Sequence, residues 1–229
     1  MVVVKKILDF YINSSLHVAF SAFALVLMTQ YFFDVKDDFS VALFAFFGTV
    51  VGYNFVKYDA IARLNKTEIK KELKAIVFLS FISLLACFYF FTQLSWMSKV
   101  SAFAFFGLTL LYTLPFFPNK QNARNWKGVK IYIVGITWVG VTVILPLVEA
   151  EIPFSKDVFL MALQRFLLIF SMVLVFDIVD VKEDDIHLQT VPQKIGVEPT
   201  KKLGYVLLLL LLISEFFFTN NHKQKSATV

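Results

Sequence analysis

The sequence predicts an all-α protein, a polytopic bundle of transmembrane helices. Of its 229 residues, 58% are hydrophobic and 28 are phenylalanine, whereas a soluble domain is only about half apolar. Apolar runs of about 20 residues, the length that crosses a bilayer as a helix, recur along the whole chain. A membrane β-barrel would instead show alternation over segments of about ten residues, so helices fit this pattern better.

Seven of these runs are long enough to span, and together they predict one membrane domain over residues 1–229. They cover residues 8–33, 39–58, 75–94, 98–116, 130–148, 158–176 and 203–219. The seventh contains six consecutive leucines, with Glu215 as its only charge. The first lacks a small-residue cleavage pattern, so we expect a spanning helix there and not a removed signal peptide.

Basic residues predict the orientation, because they concentrate in short cytoplasmic loops. After Lys5 and Lys6, most of them fall in three alternate loops: Arg63, Lys66, Lys70, Lys71 and Lys74, then Lys120, Arg124, Lys127 and Lys130, then Lys182, Lys194, Lys201 and Lys202. The N-terminus is therefore predicted to be cytoplasmic, in a bacterial inner membrane. The net charge of +5 has this topological explanation, and no nucleic-acid partner is expected.

A group of aspartates begins where the sixth apolar run ends. Asp177, Asp180 and Asp184 stand at i, i+3 and i+7, and on a helix these offsets put three carboxylates on one face. Like charges on one face repel, so a cation should neutralise them, and carboxylate oxygens suit magnesium, which also takes oxygens from substrate phosphates. The alternative is a solvated acidic helix end just outside the membrane.

This arrangement resembles the second aspartate-rich motif of the UbiA-type membrane-embedded prenyltransferases. The family pattern is D-x-x-D-x-x-x-D, followed by a short stretch that ends in Thr-x-Pro and a glycine. The matching positions are Asp177, Asp180, Asp184, Thr190, Pro192 and Gly196. The resemblance implies magnesium bound at the three aspartates and a prenyl diphosphate as substrate. The prenyl group would pass to a lipophilic acceptor of aromatic or quinone type, in contact with membrane lipid.

The family's first motif belongs at the end of the second predicted helix, where an asparagine is followed by aspartates at +1, +4 and +8. This chain keeps Asn54, and Asp59 lies one residue late. The three aspartate positions are occupied by Phe55, Tyr58 and Ala62. We expect Asn54 and Lys57 to bind diphosphate oxygens directly, with Lys57 replacing the charge of a metal ion. The alternative is that Lys57 only extends to the membrane interface.

A third segment resembles the family stretch Tyr-Ser-x-Pro-Pro-x-x-x-Lys that follows helix four. Tyr112, Pro115 and Lys120 match it. The resemblance implies that Tyr112 and Lys120 bind the diphosphate and, with Asp177 and Asp180, form the catalytic group, because a hydroxyl and an ammonium can orient and neutralise the leaving group. The alternative is an ordinary basic cytoplasmic loop.

The family fold usually has nine helices around a cavity that opens to the membrane, and the present chain has only seven predicted spans. A homo-oligomer that completes the bundle is one way to close such a cavity. Two other functions stay open. A non-catalytic relative that binds isoprenoids or partner proteins is favoured by the altered first motif. A small transporter is disfavoured, because the sequence shows no matched pair of broken helices.

Overall fold

The structure, a computed structural model, describes residues 2–35, 39–64, 71–114, 128–182 and 188–226, and the regular elements among them are all helices. In chain order these are α1 (Val2–Asn13), α2 (Leu16–Phe32), α3 (Phe39–Leu64), α4 (Lys71–Gln93), α5 (Trp96–Thr113), α6 (Lys130–Val139), a π-helical turn (Gly140–Ile144), α7 (Leu145–Glu149), α8 (Lys156–Val179), α9 (Val191–Ile195) and α10 (Val197–Ser226). The predicted all-α class is therefore confirmed for the described residues.

Four helical segments are long and apolar enough to cross a membrane. They are Phe39–Tyr58, Leu73–Gln93, Lys130–Glu149 and Lys156–Val179. A fifth candidate arises if α1 and α2 are counted as one bent span. The remaining two predicted spans do form helices, α5 and α10, but neither meets the same requirements of length, hydropathy and charge within the described residues. The described residues thus contain four or five candidate spans, and the predicted number of seven is not confirmed.

The first predicted span is not one continuous helix. It breaks at Ser14 and Ser15, and the segments on either side are bent by 63°. Ser15 has a φ of 60°, a region that residues other than glycine rarely adopt. Serine side chains also compete with helical backbone hydrogen bonds, which favours a break at this point. The prediction of a single helix over 8–33 is wrong here.

The chain forms two compact units. The first consists of Met1–Phe103 and Leu145–Ile152, and the second of Ala104–Ile144 and Pro153–Val229. In the first unit, α3 packs against both α2 and α4. The buried positions of α2 and α3 include the small residues Ala19, Ala22, Ala42 and Ala45. Small residues let helix backbones approach closely, as is common in membrane bundles.

In the second unit, α8 packs against α6 and α10. Gly135 of α6 permits a close approach, because a Cβ there would lie 2.7 Å from the ring of Phe166. Along the chain, α6 is followed by the π-helical turn and then by α7, whose residues belong to the first unit. Pro146 explains that turn: its ring would clash with the carbonyl of Thr142 in a regular helix, and a wider turn relieves the clash.

Large apolar side chains remain exposed along the candidate spans. Phe88 of α4 is 67% exposed, and Phe159 of α8 is 54% exposed. Soluble monomers rarely expose contiguous apolar surface of this kind. Exposed aromatic and aliphatic side chains on long apolar helices are what a membrane protein presents to lipid tails.

Candidate functional site

The best-defined polar group of the second unit lies at the C-terminal end of α8. This helix begins after Ser155, whose side chain accepts a hydrogen bond from the Val158 N–H at 3.3 Å, as expected for an N-cap. It ends at Val179, so Asp177 is in its last turn and Asp180 is the exposed residue that caps it. The structure therefore brings these two predicted ligands together at one helix end.

The predicted helical face of three aspartates is only partly formed. Residues 181 and 182 lie in a turn, so the helix does not continue past Asp180, and Asp184 lies outside the described residues. Physically, a helix that leaves an apolar span has few tertiary contacts to sustain it, and propensity alone rarely does so. The helix that the aspartate spacing predicts is therefore present at Asp177 and ends before Asp180.

Asp177 is 2% exposed and forms an ion pair with Lys130. The Nζ of Lys130 lies 2.9 Å from the Oδ1 of Asp177, and the two side chains are 19% and 3% exposed. Lys130 is the first residue of α6. A buried carboxylate needs a positive partner, and Lys130 is one such partner of Asp177. The predicted binding of magnesium at this residue stays a prediction.

A second lysine approaches the start of α6. The Nζ of Lys194 lies 3.7 Å from the position that a Cβ of Gly128 would occupy. Gly128 has a φ of 70°, and its N–H donates to the Leu188 carbonyl oxygen at 3.4 Å. This backbone contact joins the segment before Lys130 to the segment after the acidic loop. The two segments that meet here each carry an ammonium group: Lys130 at the start of α6 and Lys194 in α9.

The other matched positions of the second motif have local structural roles. Thr190 precedes the short helix α9, and its N–H donates to the Gln193 Oε1 at 3.0 Å. Pro192 lies in the first turn of α9, where its missing N–H costs nothing. Gly196 has a φ of 89°, a conformation that favours glycine, and it joins α9 to α10. These three residues form a turn that places Lys194 and starts the last helix.

The third segment is described only in part. Tyr112 is half-buried in the last turn of α5. Pro115 and Lys120 lie outside the described residues, so the predicted roles of Tyr112 and Lys120 at the diphosphate stay predictions.

Asn54 and Lys57 belong to the first unit, near the end of the span Phe39–Tyr58 of α3. The Nδ2 of Asn54 donates to the Ser80 Oγ at 2.9 Å, and the Nζ of Lys57 lies 3.3 Å from the Asn13 carbonyl oxygen. Both donors thus have acceptors within the unit. Their predicted role as diphosphate ligands stays a prediction, and the side chain of Asp59 is outside the described ones.

Comparisons with protein-family models, curated proteins and solved structures give no match. The resemblance to the UbiA-type family therefore rests on the residues quoted above.

Sequence reasoning did not single out Lys130 or Lys194 as site residues. Each was one member of a basic loop, and the available signal was weak. Lys130 is the residue at which a basic loop meets the fifth apolar run, and Lys194 follows the Thr-x-Pro stretch of the acidic motif. An aspartate at the end of one span can pair with a lysine that adjoins another span, provided that both lie on the same side of the membrane. Lys130 meets this condition for Asp177 in the predicted topology.

Proposed function

We propose that this protein is a UbiA-like integral membrane prenyltransferase, which transfers a prenyl group from a prenyl diphosphate to a lipophilic acceptor of aromatic or quinone type. The observation that carries the proposal is the buried Asp177–Lys130 pair at the end of α8, with Asp180 exposed one turn later. Carboxylates and ammonium groups at one membrane boundary are the groups needed to hold a diphosphate and its counter-ion.

The carboxylates of Asp177 and Asp180 suit a magnesium ion that also binds the phosphates of a substrate. Groups of three or more potential metal-ligating side chains are absent from the described residues. Magnesium is commonly bound by one or two carboxylates together with waters and substrate phosphates, so it does not require such a group. Asp177 and Asp180 are the residues that would hold it. Bound there, magnesium would neutralise the diphosphate oxygens and make the diphosphate a better leaving group.

Lys130 has a distinct task in this proposal. Without substrate, the ammonium group of Lys130 neutralises the buried carboxylate of Asp177. A buried carboxylate without a charged partner would destabilise the fold. When a diphosphate arrives, Lys130 can donate to a phosphate oxygen instead and leave Asp177 available to the metal. Lys194 adds a second donor for the same anion. Charge-assisted hydrogen bonds of this type are roughly twice as strong as neutral ones.

Product formation by the purified protein tests the proposal directly. The full chain in detergent is incubated with magnesium, labelled prenyl diphosphates of several lengths and a set of lipophilic aromatic acceptors. We expect a prenylated product that disappears with a chelator. Asp177→Asn combined with Asp180→Asn should abolish both the product and the magnesium-dependent thermal protection by the prenyl diphosphate.

Asp157→Asn is the matched control for the double variant. Asp157 is also a buried aspartate of α8, but it lies in the first turn, at the opposite end of the helix. It should leave the magnesium-dependent protection intact. Unchanged protection in the Asp177/Asp180 variant would rule out this site.

A non-catalytic relative is the second candidate, and one observation favours it. Asp177 already has a lysine partner within the protein, so its buried charge does not need a metal ion for neutralisation. Such a protein would bind the prenyl diphosphate without turning it over. Thermal protection by the diphosphate, equal with and without magnesium and without product, would select this function.

The proposal also includes the full topology of seven spans with a cytoplasmic N-terminus. The additional spans would be α5 and α10. Exposed apolar side chains on α10 support its contact with lipid: Tyr205, Leu208, Leu209 and Leu212. Single cysteines placed at residues 70 and 127, in a chain with Cys87→Ser, should react with an impermeant reagent only after permeabilisation. Reaction of both in intact cells would invert the orientation.

A further inference from the structure

A cavity of about 470 Å³ lies between the end of α2 and the end of α7. All the residues that line it belong to the first unit. Small-molecule sites commonly have volumes of roughly 300–1,000 Å³. Two candidate spans end here: the bent span stops at Phe32, and the span Lys130–Glu149 stops at Glu149. The cavity therefore lies at a membrane boundary, on the side opposite the N-terminus in the predicted orientation.

Two helix C-termini form the walls of this cavity. The chain turns at Asp34 after α2 and at Glu151 after α7, with left-handed φ values of 49° and 54°. The N–H groups of Val35 and Ile152 each donate back into the last turn of the preceding helix, at 3.0 Å and 2.9 Å. The C-terminal end of a helix carries a partial negative charge, so both walls favour a cation.

Two carboxylates and an amide line the same cavity. Glu149 is half-buried, and both of its carboxylate oxygens accept from the Ser95 N–H, at 3.2 Å and 2.9 Å. This contact orients the carboxylate, and because its two oxygens can accept about four hydrogen bonds, it can still bind a further donor. Asp34 is exposed, and Gln30 adds a buried amide. Lysine and arginine are absent from the described residues that line the cavity.

Apolar side chains make up the rest of the lining: Phe33, Val35, Pro146, Ala150 and Ile152. A metal ion binds oxygen ligands and water and gains nothing from such walls. An organic cation uses both parts of the cavity, because its ammonium group can donate to the carboxylates while its apolar body contacts these side chains. The ring of Phe33 is a further surface of the kind that attracts ammonium groups.

We propose that this cavity binds an organic cation, a compound with an ammonium group on a small apolar body. Glu149 is the main partner of the ammonium group, because solvent screens a half-buried carboxylate less than an exposed one. Asp34 contributes less, as exposed ion pairs do. The site involves neither Asp177 nor Lys130 and does not depend on prenyl transfer.

A charged ligand and a neutral ligand of similar shape test the site in the purified full-length protein. Tritiated phenethylamine, an alkylamine that is protonated at pH 7 as lysine is, is bound in equilibrium dialysis. It is displaced by unlabelled phenethylamine or by 2-phenylethanol, which has a hydroxyl in place of the ammonium group. We expect the amine to compete roughly tenfold better, the difference between a charge-assisted and a neutral hydrogen bond. Glu149→Gln should make the two ligands nearly equal, and Asp34→Asn should reduce the preference about two- to threefold.

Lipid headgroups are a second source of ammonium groups at a membrane boundary. Phosphatidylethanolamine and phosphatidylglycerol, added to separate samples in the same detergent, distinguish this source from a soluble amine. Displacement of the label by phosphatidylethanolamine alone would identify the ligand as a lipid headgroup. Retention of the label with both lipids would identify it as a soluble amine.

Glu151→Gln is the matched control. Glu151 is exposed and lies two residues after Glu149, but it is not among the described residues that line the cavity, so its replacement should leave the tenfold preference unchanged. Asp34→Asn keeps the test decisive if Glu149→Gln fails to fold, because asparagine tolerates the left-handed φ of this position. Equal competition by amine and alcohol in the wild type would overturn the proposal. So would a preference that falls as far in Glu151→Gln as in the cavity variants.

Discussion

The ends of α8 and α3 both bury a polar side chain where an apolar span stops, but they satisfy it differently. At α8, Asp177 receives an ammonium group from Lys130 at 2.9 Å. At α3, the Nδ2 of Asn54 donates one hydrogen bond to the Ser80 Oγ, and its Oδ1 has no partner among the described residues. At the first end the buried charge is paired within the protein, whereas at the second end an amide oxygen has no partner among the described residues.

The difference concerns what a ligand must do at each end. A ligand at α8 has to compete with an existing ion pair, so it must bring comparable charge, as a diphosphate with its cation does. A donor at α3 would displace no hydrogen bond that the described residues make to the Oδ1 of Asn54, so it would not need to carry a charge. The two helix ends therefore differ in the protein interactions that a ligand would have to replace.

The largest effect is expected from breaking the ion pair. Lys130→Met leaves Asp177 buried without its charged partner, and loss of one member of a buried pair typically costs about 3–5 kcal/mol. The free energy of unfolding in detergent, measured by denaturant titration, should fall accordingly. Adding Asp177→Leu should recover most of the loss, because an apolar pair needs no charge compensation.

Lys201→Met is the control for this prediction. Lys201 also contacts a carboxylate, that of Glu198, but both side chains are largely exposed, and such pairs contribute little. Its removal should leave the unfolding transition where it is. A small effect of Lys130→Met, similar to that of Lys201→Met, would show that the α8 end is solvated and not closed.

The next effect is on diphosphate binding at the α3 end. Lys57 is the nearest cation to the altered first motif, one turn after Asn54. If it replaces the charge of a metal ion, Lys57→Ala should weaken prenyl diphosphate binding by roughly ten- to a hundredfold, since a charge-assisted contact is worth about 1.5–3 kcal/mol. Asp59→Ala should change it little. Equal, small losses in both variants, measured by equilibrium binding, would assign this helix end a purely structural role.

The smallest effect concerns the support of the helix break. Tyr58→Phe removes one of the two donors to the Asn13 carbonyl oxygen, and Lys57 retains the other. We expect a loss of about 0.5–1.5 kcal/mol in the free energy of unfolding, the usual value of one hydrogen bond. Tyr205→Phe, at an exposed position of α10, should have no effect. A Tyr58→Phe variant as stable as the wild type would mean that Lys57 alone holds the break.

The sequence by itself determined the helical class and the positions of the apolar runs, because hydropathy over about 20 residues is a local property. It also marked Gly196 as the end of the acidic motif, where a φ of 89° favours glycine. It could not foresee that α8 ends at Val179, so that Asp180 caps the helix. Helix ends depend on which turns retain packing contacts, and the sequence pattern alone does not contain them.

Only the tertiary structure decided which polar groups are paired. Lys130 and Asp177 are 47 residues apart, and Asn54 and Ser80 are 26 apart. No periodicity or composition rule links positions at such separations. The pairing follows from α6 packing on α8 and from α3 packing on α4. Once these helices pack in low dielectric, the partners available to a buried polar atom are mainly those that the neighbouring helix presents.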